Sequence, residues 1–212
     1  MYSYSLSNGR CMITFTTPQT QLCYAITQLH FLHSVLISHK ATSCSFLANS
    51  VCTFSSYIKN HNIHGITYED ALSLATTLGT QLFYMESQNH TFTFLDTKHI
   101  IVLDNQYFLY LGTQHLVELE YHNTFLLTTP LPTHQRSYLA PECYQITQLP
   151  ASLHKHSLYY NLAALIVQCL FPDKNLREFH KEFLLPIEET KLYWFLLRCL
   201  EREPINRRCL LI

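Results

Sequence analysis

The chain has 212 residues and a mass of 24.8 kDa, enough for one large domain that buries a hydrophobic core of its own. Hydrophobic residues make up 48% of it and charged residues only 14%, which excludes intrinsic disorder and favours a compact fold with few surface charges. The formal net charge of −1 provides no field for nucleic acid or for an acidic membrane surface, so neither is expected as a partner.

The first elements are predicted to alternate between strand and helix. Residues 10–16 are rich in β-branched and aromatic side chains, which favour a short strand. Beyond Pro18, apolar residues recur at helical spacing and predict a helix over residues 19–38. Residues 45–54 are ambiguous between helix and strand, and residues 53–59 predict a short helix.

A long helix and a β-hairpin are predicted next. Thr67 is a good N-cap with Asp70 three residues later, and apolar spacing continues the helix to Met85. Residues 99–103 and 107–111 are two alternating runs separated by a short polar turn, which predicts a β-hairpin. The chain to Tyr138 is then expected to be a loop. Residues 157–171 predict a buried helix, and residues 192–200 predict another.

Charge and cysteine usage bear on compartment and partners. The first 68 residues contain Arg10, Lys40 and Lys59 but no acid, so they carry +3 and the remainder carries −4 (−1 minus 3). The eight cysteines form no C-x-x-C pair, and the N-terminus does not resemble a secretory signal. Reduced thiols and an intracellular location, cytoplasmic or nuclear, are therefore expected. The longest apolar run, residues 162–171, is too short to span a membrane.

Two motifs in the second half resemble the protein-kinase family. Residues 138–142, Tyr-Leu-Ala-Pro-Glu, are similar to the Ala-Pro-Glu end of a kinase activation segment. Residues 203–207, Glu-Pro-Ile-Asn-Arg, are similar to the turn whose arginine receives that glutamate. The resemblance implies a buried ion pair, where the alternative is two unrelated surface charges. The scaffold residues that it implies are Tyr138, Ala140, Pro141, Glu142 and Arg207.

The predicted order of elements is also similar to a kinase, over about residues 10–210. The resemblance implies an α+β, protein-kinase-like fold with a truncated, β-containing N-lobe and a mostly helical C-lobe. Residues 1–55 would form the reduced N-lobe-like region and residues 56–212 the C-lobe-like helical region of one domain.

The groups that a kinase uses to hold ATP are missing from the matching positions. Phosphate binding needs a glycine-rich loop, and a lysine paired with a glutamate. Gly9 is the only glycine before Gly65, and about ten residues precede the first predicted strand, which leaves no room for a glycine-rich hairpin. The lysine position falls on Thr14, and a partner glutamate is impossible before Glu69. Nucleotide binding is therefore not expected.

The catalytic loop can be aligned in two registers. One puts Phe94 at the position of the catalytic base and His99 at the metal-binding asparagine. The other makes Asp96 the base with Lys98 two residues on, but it puts Ile101 at the asparagine and breaks the hairpin. Outside the resemblance, Asp96 is interpreted as a turn residue.

The metal-binding and anchoring positions have also changed. The aspartate that begins the D-F-G motif falls on Tyr110, and tyrosine does not replace a carboxylate for Mg²⁺. The buried-helix aspartate that anchors a kinase catalytic loop falls on Leu158, and Asp104 is interpreted as a hairpin-turn residue.

Other chemistry finds little support in the sequence. The closest histidine pairs, His61 with His64 and His154 with His156, have no cysteine or carboxylate pair at ligand spacing and are interpreted as surface polar residues. Cys143 has no identifiable base. Neither a metal nor any other cofactor is expected.

The sequence therefore predicts a catalytically inactive kinase-like domain, or pseudokinase, that binds another protein as a regulatory scaffold. Three alternatives remain open. The first is a divergent, active Ser/Thr protein kinase that uses Asp96 as its base. The second is an interaction module like the kinase non-catalytic C-lobe domains, which a true β-strand N-lobe at residues 1–55 would exclude. The third is an ordinary helical interaction protein in which the motifs occur by chance.

Overall fold

The protein combines helices with small antiparallel sheets in an α+β fold, seen in a computed structural model that describes residues 1–61, 65–121, 123–131, 138–173 and 179–210. The strands are β1 (Tyr2–Ser7), β2 (Arg10–Phe15), β3 (His33–Ile37), β4 (Ser43–Leu47), β5 (Val51–Thr53), β6 (His90–Phe92), β7 (Ile100–Leu103), β8 (Tyr107–Tyr110), β9 (Leu116–Glu118), β10 (Thr124–Leu127) and β11 (Ala151–His154). The α-helices are α1 (Thr20–Gln28), α2 (Phe54–His61), α3 (Tyr68–Ser87), α4 (Ser157–Leu170) and α5 (Lys191–Cys199). None of the helices in these ranges is long and apolar enough to cross a membrane.

The N-terminal region is an antiparallel sheet in the order β1-β2-β4-β3, with α1 between β2 and β3 along the chain. Strands β1 and β2 form a hairpin whose turn is Asn8-Gly9, both at positive φ, a conformation that Asn-Gly sequences favour. A hairpin therefore does precede residue 10, but its turn contains one glycine and is not the glycine-rich loop that a kinase would need. Because residues 2–7 alternate serine with aromatic or apolar side chains, they pair with β2 without any glycine-rich loop.

The predicted helix over residues 19–38 is wrong beyond its first half. Helix α1 ends at Gln28, and β3 pairs with β4 through partners such as Leu36 and Ser45. Leu29 and Leu32 are buried in the connection, whereas Leu36 is exposed on the sheet. Their helical spacing therefore does not reflect a shared helix face, and strand pairing decides the structure. The ambiguous residues 45–54 contain the end of β4 and all of β5.

The long helix and the hairpin that follow it are confirmed. The Thr67 hydroxyl accepts a hydrogen bond from the backbone N–H of Asp70, and the Asp70 carboxylate accepts one from the backbone N–H of Thr67, which completes a capping box for α3. Strands β7 and β8 pair in register, and the turn residue Asp104 has positive φ. Its carboxylate accepts hydrogen bonds from the backbone of Asn49 and Ser50, which fixes the entry to β5.

The second half contains more strand than the sequence suggested. The stretch predicted as a loop includes β9, which pairs with β6, and β10, which pairs with β11. Helices α4 and α5 lie within one residue of their predicted bounds at each end. The main hydrophobic core runs from Ile13 in β2 through Tyr110 in β8 to Leu162 in α4, so the sheet region and the helical region share one interior.

Candidate functional site

A buried ion pair joins the two motifs that resemble a kinase. The Arg207 guanidinium is completely buried and donates to both carboxylate oxygens of Glu142, over 2.6 Å and 2.8 Å. Its remaining N–H groups donate to the backbone carbonyls of Glu201, Arg202 and His156, over 2.7, 2.8 and 3.3 Å. All five guanidinium donors therefore have acceptors. The predicted pairing is present, and the reading as two unrelated surface charges is wrong.

Local sequence places Glu142 for this contact. It lies in the 3-10 turn Pro141–Gln145, and Ser157, the first residue of α4, donates a third hydrogen bond to its carboxylate over 2.7 Å. Arg207 also lies over the ring of Tyr160, 5.1 Å from its centre. Burial by itself would raise the pKa of Glu142, but the hydrogen bonds from Arg207 and Ser157 outweigh it and lower the pKa. The carboxylate is thus charged at neutral pH.

The other predicted scaffold residues belong to the same segment. Ala140 is buried, and its carbonyl accepts a hydrogen bond from the backbone of Cys143 over 2.9 Å. Tyr138 is half-buried, which raises its pKa to about 12, and its carbonyl accepts from the side chain of Asn161 over 3.1 Å. Burial, together with the nearby Glu142 carboxylate, raises the pKa of the Cys143 thiol to about 12, which favours the protonated form at neutral pH.

Tyr110, which the resemblance aligns with a metal-binding aspartate, is an interior residue. Its hydroxyl donates to the carbonyl of Phe94 over 2.9 Å and accepts from the backbone of Asp96 over 3.3 Å. Its own backbone N–H and carbonyl are both bonded to the side chain of Gln81. Burial raises the pKa of Tyr110 well above its ordinary value, so the phenol stays neutral. Tyr110 therefore holds the 94–96 loop as a neutral hydrogen-bonding group.

A second side chain, Asn161 in α4, fixes the same loop from the opposite direction. Its amide oxygen accepts from the backbone of Leu95 over 2.7 Å, while its amide nitrogen donates to Tyr138. The sequence comparison placed this anchoring position at Leu158, which is buried and apolar. Asn161 lies three residues further along the same helix face and is the residue of α4 that bonds this loop. Asn161 joins the 94–96 loop to the segment that begins at residue 138.

Asp96, His99 and His115 lie together at the surface end of this loop. Asp96 is buried and caps the 3-10 turn Thr97–His99 by accepting from the backbone of Lys98 over 3.0 Å. His99 and His115 are half-buried, and one potential ligand atom from each of the three residues lies within 4.8 Å of the other two. Burial lowers the pKa of both imidazoles, which are therefore neutral near pH 7.

Thr14, α1 and the first strand are the places that the resemblance would assign to nucleotide binding. Thr14 is exposed, because its neighbours Ile13 and Phe15 face the core and strand residues alternate. Helix α1 contains no acidic residue. Tyr2 and Tyr4 of β1 stand opposite Phe15 and Ile13, so they point to the core side of the sheet.

Tyr2 occupies the space between the sheet and the 94–99 loop. Its ring lies 5.8 Å from the ring of His99, and burial, together with the nearby Tyr4 and Asp96, raises its pKa to about 12. A groove of about 610 Å³ beside it is also lined by Lys98. The groove residues are Met1, Tyr2, Ser3, Tyr4, Lys98, His99 and Gln114.

One of the predicted histidine pairs has a structural role. His154 and His156 are half-buried, with ring centres 4.4 Å apart, and the backbone of His156 donates to the ring of His154. The His156 ring is bonded to the carbonyl of Pro204 over 2.9 Å, and burial lowers its pKa to about 4. The interpretation as surface residues is therefore wrong for this pair. The pair His61 and His64 lies outside the described side chains.

Sequence reasoning missed His115, Asn161 and the placement of Tyr2. His115 is 16 residues from His99, which is far beyond any ligand-spacing motif. The predicted hairpin was the one signal that His99 and His115 are close in space. Its pairing lets the backbone N–H of Leu111, four residues before His115, donate to the carbonyl of His99. No comparable local signal exists for Asn161 or Tyr2.

Comparison with known proteins leaves the family open. A scan against protein-family models finds no match, and a search of the curated proteins finds none either.

Proposed function

We propose that this chain is a non-catalytic, protein-kinase-like domain, a pseudokinase, that acts as a regulatory scaffold by binding another protein. Support comes from the order of the elements along the chain. A sheet with one helix between two of its strands comes first, and a long helix, a hairpin and buried helices follow. The Glu142–Arg207 pair supports it further, since the resemblance implies that contact. The sheet formed by residues 2–47 argues against a module that consists of a C-lobe alone. An intracellular location belongs to the same proposal.

Tyr110 is the observation that carries the non-catalytic part of the proposal. Phosphoryl transfer needs Mg²⁺ held by carboxylate and phosphate oxygens at this position. Here a neutral phenol occupies it, buried and bonded to Phe94 and Asp96. Restoring metal binding would require more than a new side chain, because the hydroxyl also holds the loop that would carry the base.

The outer face of the N-terminal sheet is the surface that best fits a protein partner. Met12, Leu36 and Leu47 are exposed by 47%, 61% and 47%, and strand pairing places them on one face with Arg10. The first 68 residues contain no acid. An exposed apolar surface beside a cation such as Arg10 is a candidate protein interface, and it fits a partner that presents apolar and acidic side chains.

Thermal denaturation with and without millimolar Mg-ATP tests the non-catalytic part. We expect the same midpoint in both conditions. A nucleotide at 100 times its dissociation constant would stabilise the native state by about 2.7 kcal/mol, which corresponds to roughly 5–10 °C for a chain of this size. A midpoint that rises by several degrees would contradict the proposal. Phosphotransfer by the wild type that is lost in Asp96→Asn would instead establish the active-kinase alternative.

The partner surface is tested by cross-linking in cells followed by quantitative mass spectrometry. The variant Met12→Lys/Leu36→Lys/Leu47→Lys changes the sheet face. Its control carries three lysines at exposed apolar positions elsewhere, Phe83→Lys/Leu185→Lys/Trp194→Lys. We expect wild type and control to recover the same protein, and the sheet variant to lose it. Equal recovery by all three would remove this surface from the proposal.

A further inference from the structure

We infer that Asp96, His99 and His115 form a binding site for a divalent first-row transition-metal ion such as zinc. The inference goes beyond the proposed function and does not depend on it, since the site would exist whether or not the chain binds a protein partner. Within the described ranges, these residues are the one group of three potential ligands that the fold brings together.

Backbone hydrogen bonds hold the three residues in place. The N–H of Leu111 donates to the carbonyl of His99 over 2.8 Å, and the N–H of Thr93 donates to the carbonyl of His115 over 2.7 Å. Asp96 and His99 bracket one 3-10 turn, while His115 ends another, Thr113–His115. The cluster is therefore fixed by the loop and hairpin scaffold, and only side-chain rotations are needed to adjust it.

The distances are compatible with one shared ion. Zinc bonds of about 2.0–2.1 Å to nitrogen or oxygen place tetrahedral ligand atoms roughly 3.4 Å apart. The three ligand atoms already lie within 4.8 Å of one another, so small changes of χ angles close the difference. A further position remains for water or for the side chain of Gln114, which contacts the His99 ring.

The donor set selects the class of metal. Two imidazoles and one carboxylate suit zinc, cobalt, nickel or iron(II), whereas Mg²⁺ and Ca²⁺ prefer oxygen donors alone. The site therefore differs from the Mg²⁺ site of a kinase, which relies on oxygen ligands and on the phosphates of the nucleotide.

Charges of both signs lie near the site. The buried carboxylate of Asp96 favours a cation, while Lys98 and the amino group of Met1 are close enough to act on His99 and oppose it. Both positive groups belong to exposed residues, so solvent screens their repulsion of a bound cation. His115 also has a neighbour outside the donor set, Thr93, whose hydroxyl lies 3.4 Å from its Nδ1.

Cobalt(II) titration followed by visible absorption tests the site in the whole protein. We expect one equivalent to bind with the d–d bands of low-coordinate Co²⁺, without a sulfur-to-cobalt charge-transfer band, and zinc to displace it. His99→Gln and His115→Gln should each weaken binding by at least about 100-fold, because each removes a direct ligand. The control His33→Gln changes an exposed histidine on β3 and should bind as the wild type does.

Several results would overturn the inference: no stoichiometric binding by the wild type, a sulfur charge-transfer band, or unchanged affinity in both ligand variants. Circular dichroism of each variant shows whether it has folded. Zinc titration of the wild type followed by NMR of the imidazole groups supplies a measurement that needs no variant. Selective shifts of the His99 and His115 signals support the site, and shifts at other histidines instead refute it.

Discussion

Replacing Glu142 with alanine should destabilise the protein by about 3–5 kcal/mol, the usual cost of removing one partner from a buried ion pair. Arg207 is fully buried and would lose both of its charge-assisted bonds to the carboxylate. Its charge would then keep three backbone carbonyls and the ring of Tyr160 as neighbours, but no carboxylate.

The contacts give a similar magnitude. Two hydrogen bonds to a charged group contribute about 1.5–3 kcal/mol each, which sums to roughly 3–6 kcal/mol. The Glu142 side chain is 19% exposed, so water can enter the space left by the carboxylate and recover part of that loss. For a chain of this size, a loss of 3–5 kcal/mol lowers the melting temperature by about 6–20 °C.

Urea denaturation at pH 7 measures the effect, with Glu188→Ala as the control because its carboxylate is exposed. We expect the control to stay within about 0.5 kcal/mol of the wild type. The double variant Glu142→Ala/Arg207→Met should lose less than the sum of its two single variants, because no buried charge is left without a partner. A Glu142→Ala protein as stable as Glu188→Ala would refute the reasoning, and strictly additive losses would show that the two charges are not coupled.

Three further predictions concern the loop and α4. Tyr110→Phe should cost about 1–3 kcal/mol in urea denaturation, since it leaves the buried carbonyl of Phe94 without its donor, and an unchanged midpoint would contradict that bond. Gly112→Ala should lower the free energy of unfolding by about 1–3 kcal/mol, because the new methyl group would collide with the Tyr110 side chain. The control Gly79→Ala meets only ordinary van der Waals contact and should be neutral or stabilising. Equal effects of the two variants would contradict the collision. The pKa of His156 is lowered to about 4, so the unfolded chain binds a proton that the folded chain does not between pH 6.5 and 4, and stability falls as the pH drops through that range. After allowance for solvent at this half-buried ring the loss is about 1 kcal/mol, and His156→Gln should remove it from stability curves measured at pH 7 and pH 4.5.

Elements with local signals could be predicted from the sequence. The Thr67 and Asp70 capping box is such a signal, and α3 begins where the sequence placed it. Strand β3 could not be predicted, because Leu32 and Leu36 have the spacing of residues on one helix face. In the structure Leu32 is buried, whereas Leu36 is exposed on β3 and pairs with Ser45 of β4. The same limit applies to the site: the role of Asn161 depends on contacts with Leu95 and Tyr138, which are 66 and 23 residues away.

The Glu142–Arg207 pair and Tyr110 support different parts of the proposed function. Removing either partner of the pair leaves the other charge without its counter-ion. Stability alone therefore explains why both residues are present, with or without catalysis. Tyr110 has no such ambiguity, because a metal-binding carboxylate at the same place would put an unpaired charge next to the carbonyl of Phe94. The pair therefore supports the proposed kinase-like scaffold, while Tyr110 supports the proposed absence of catalysis.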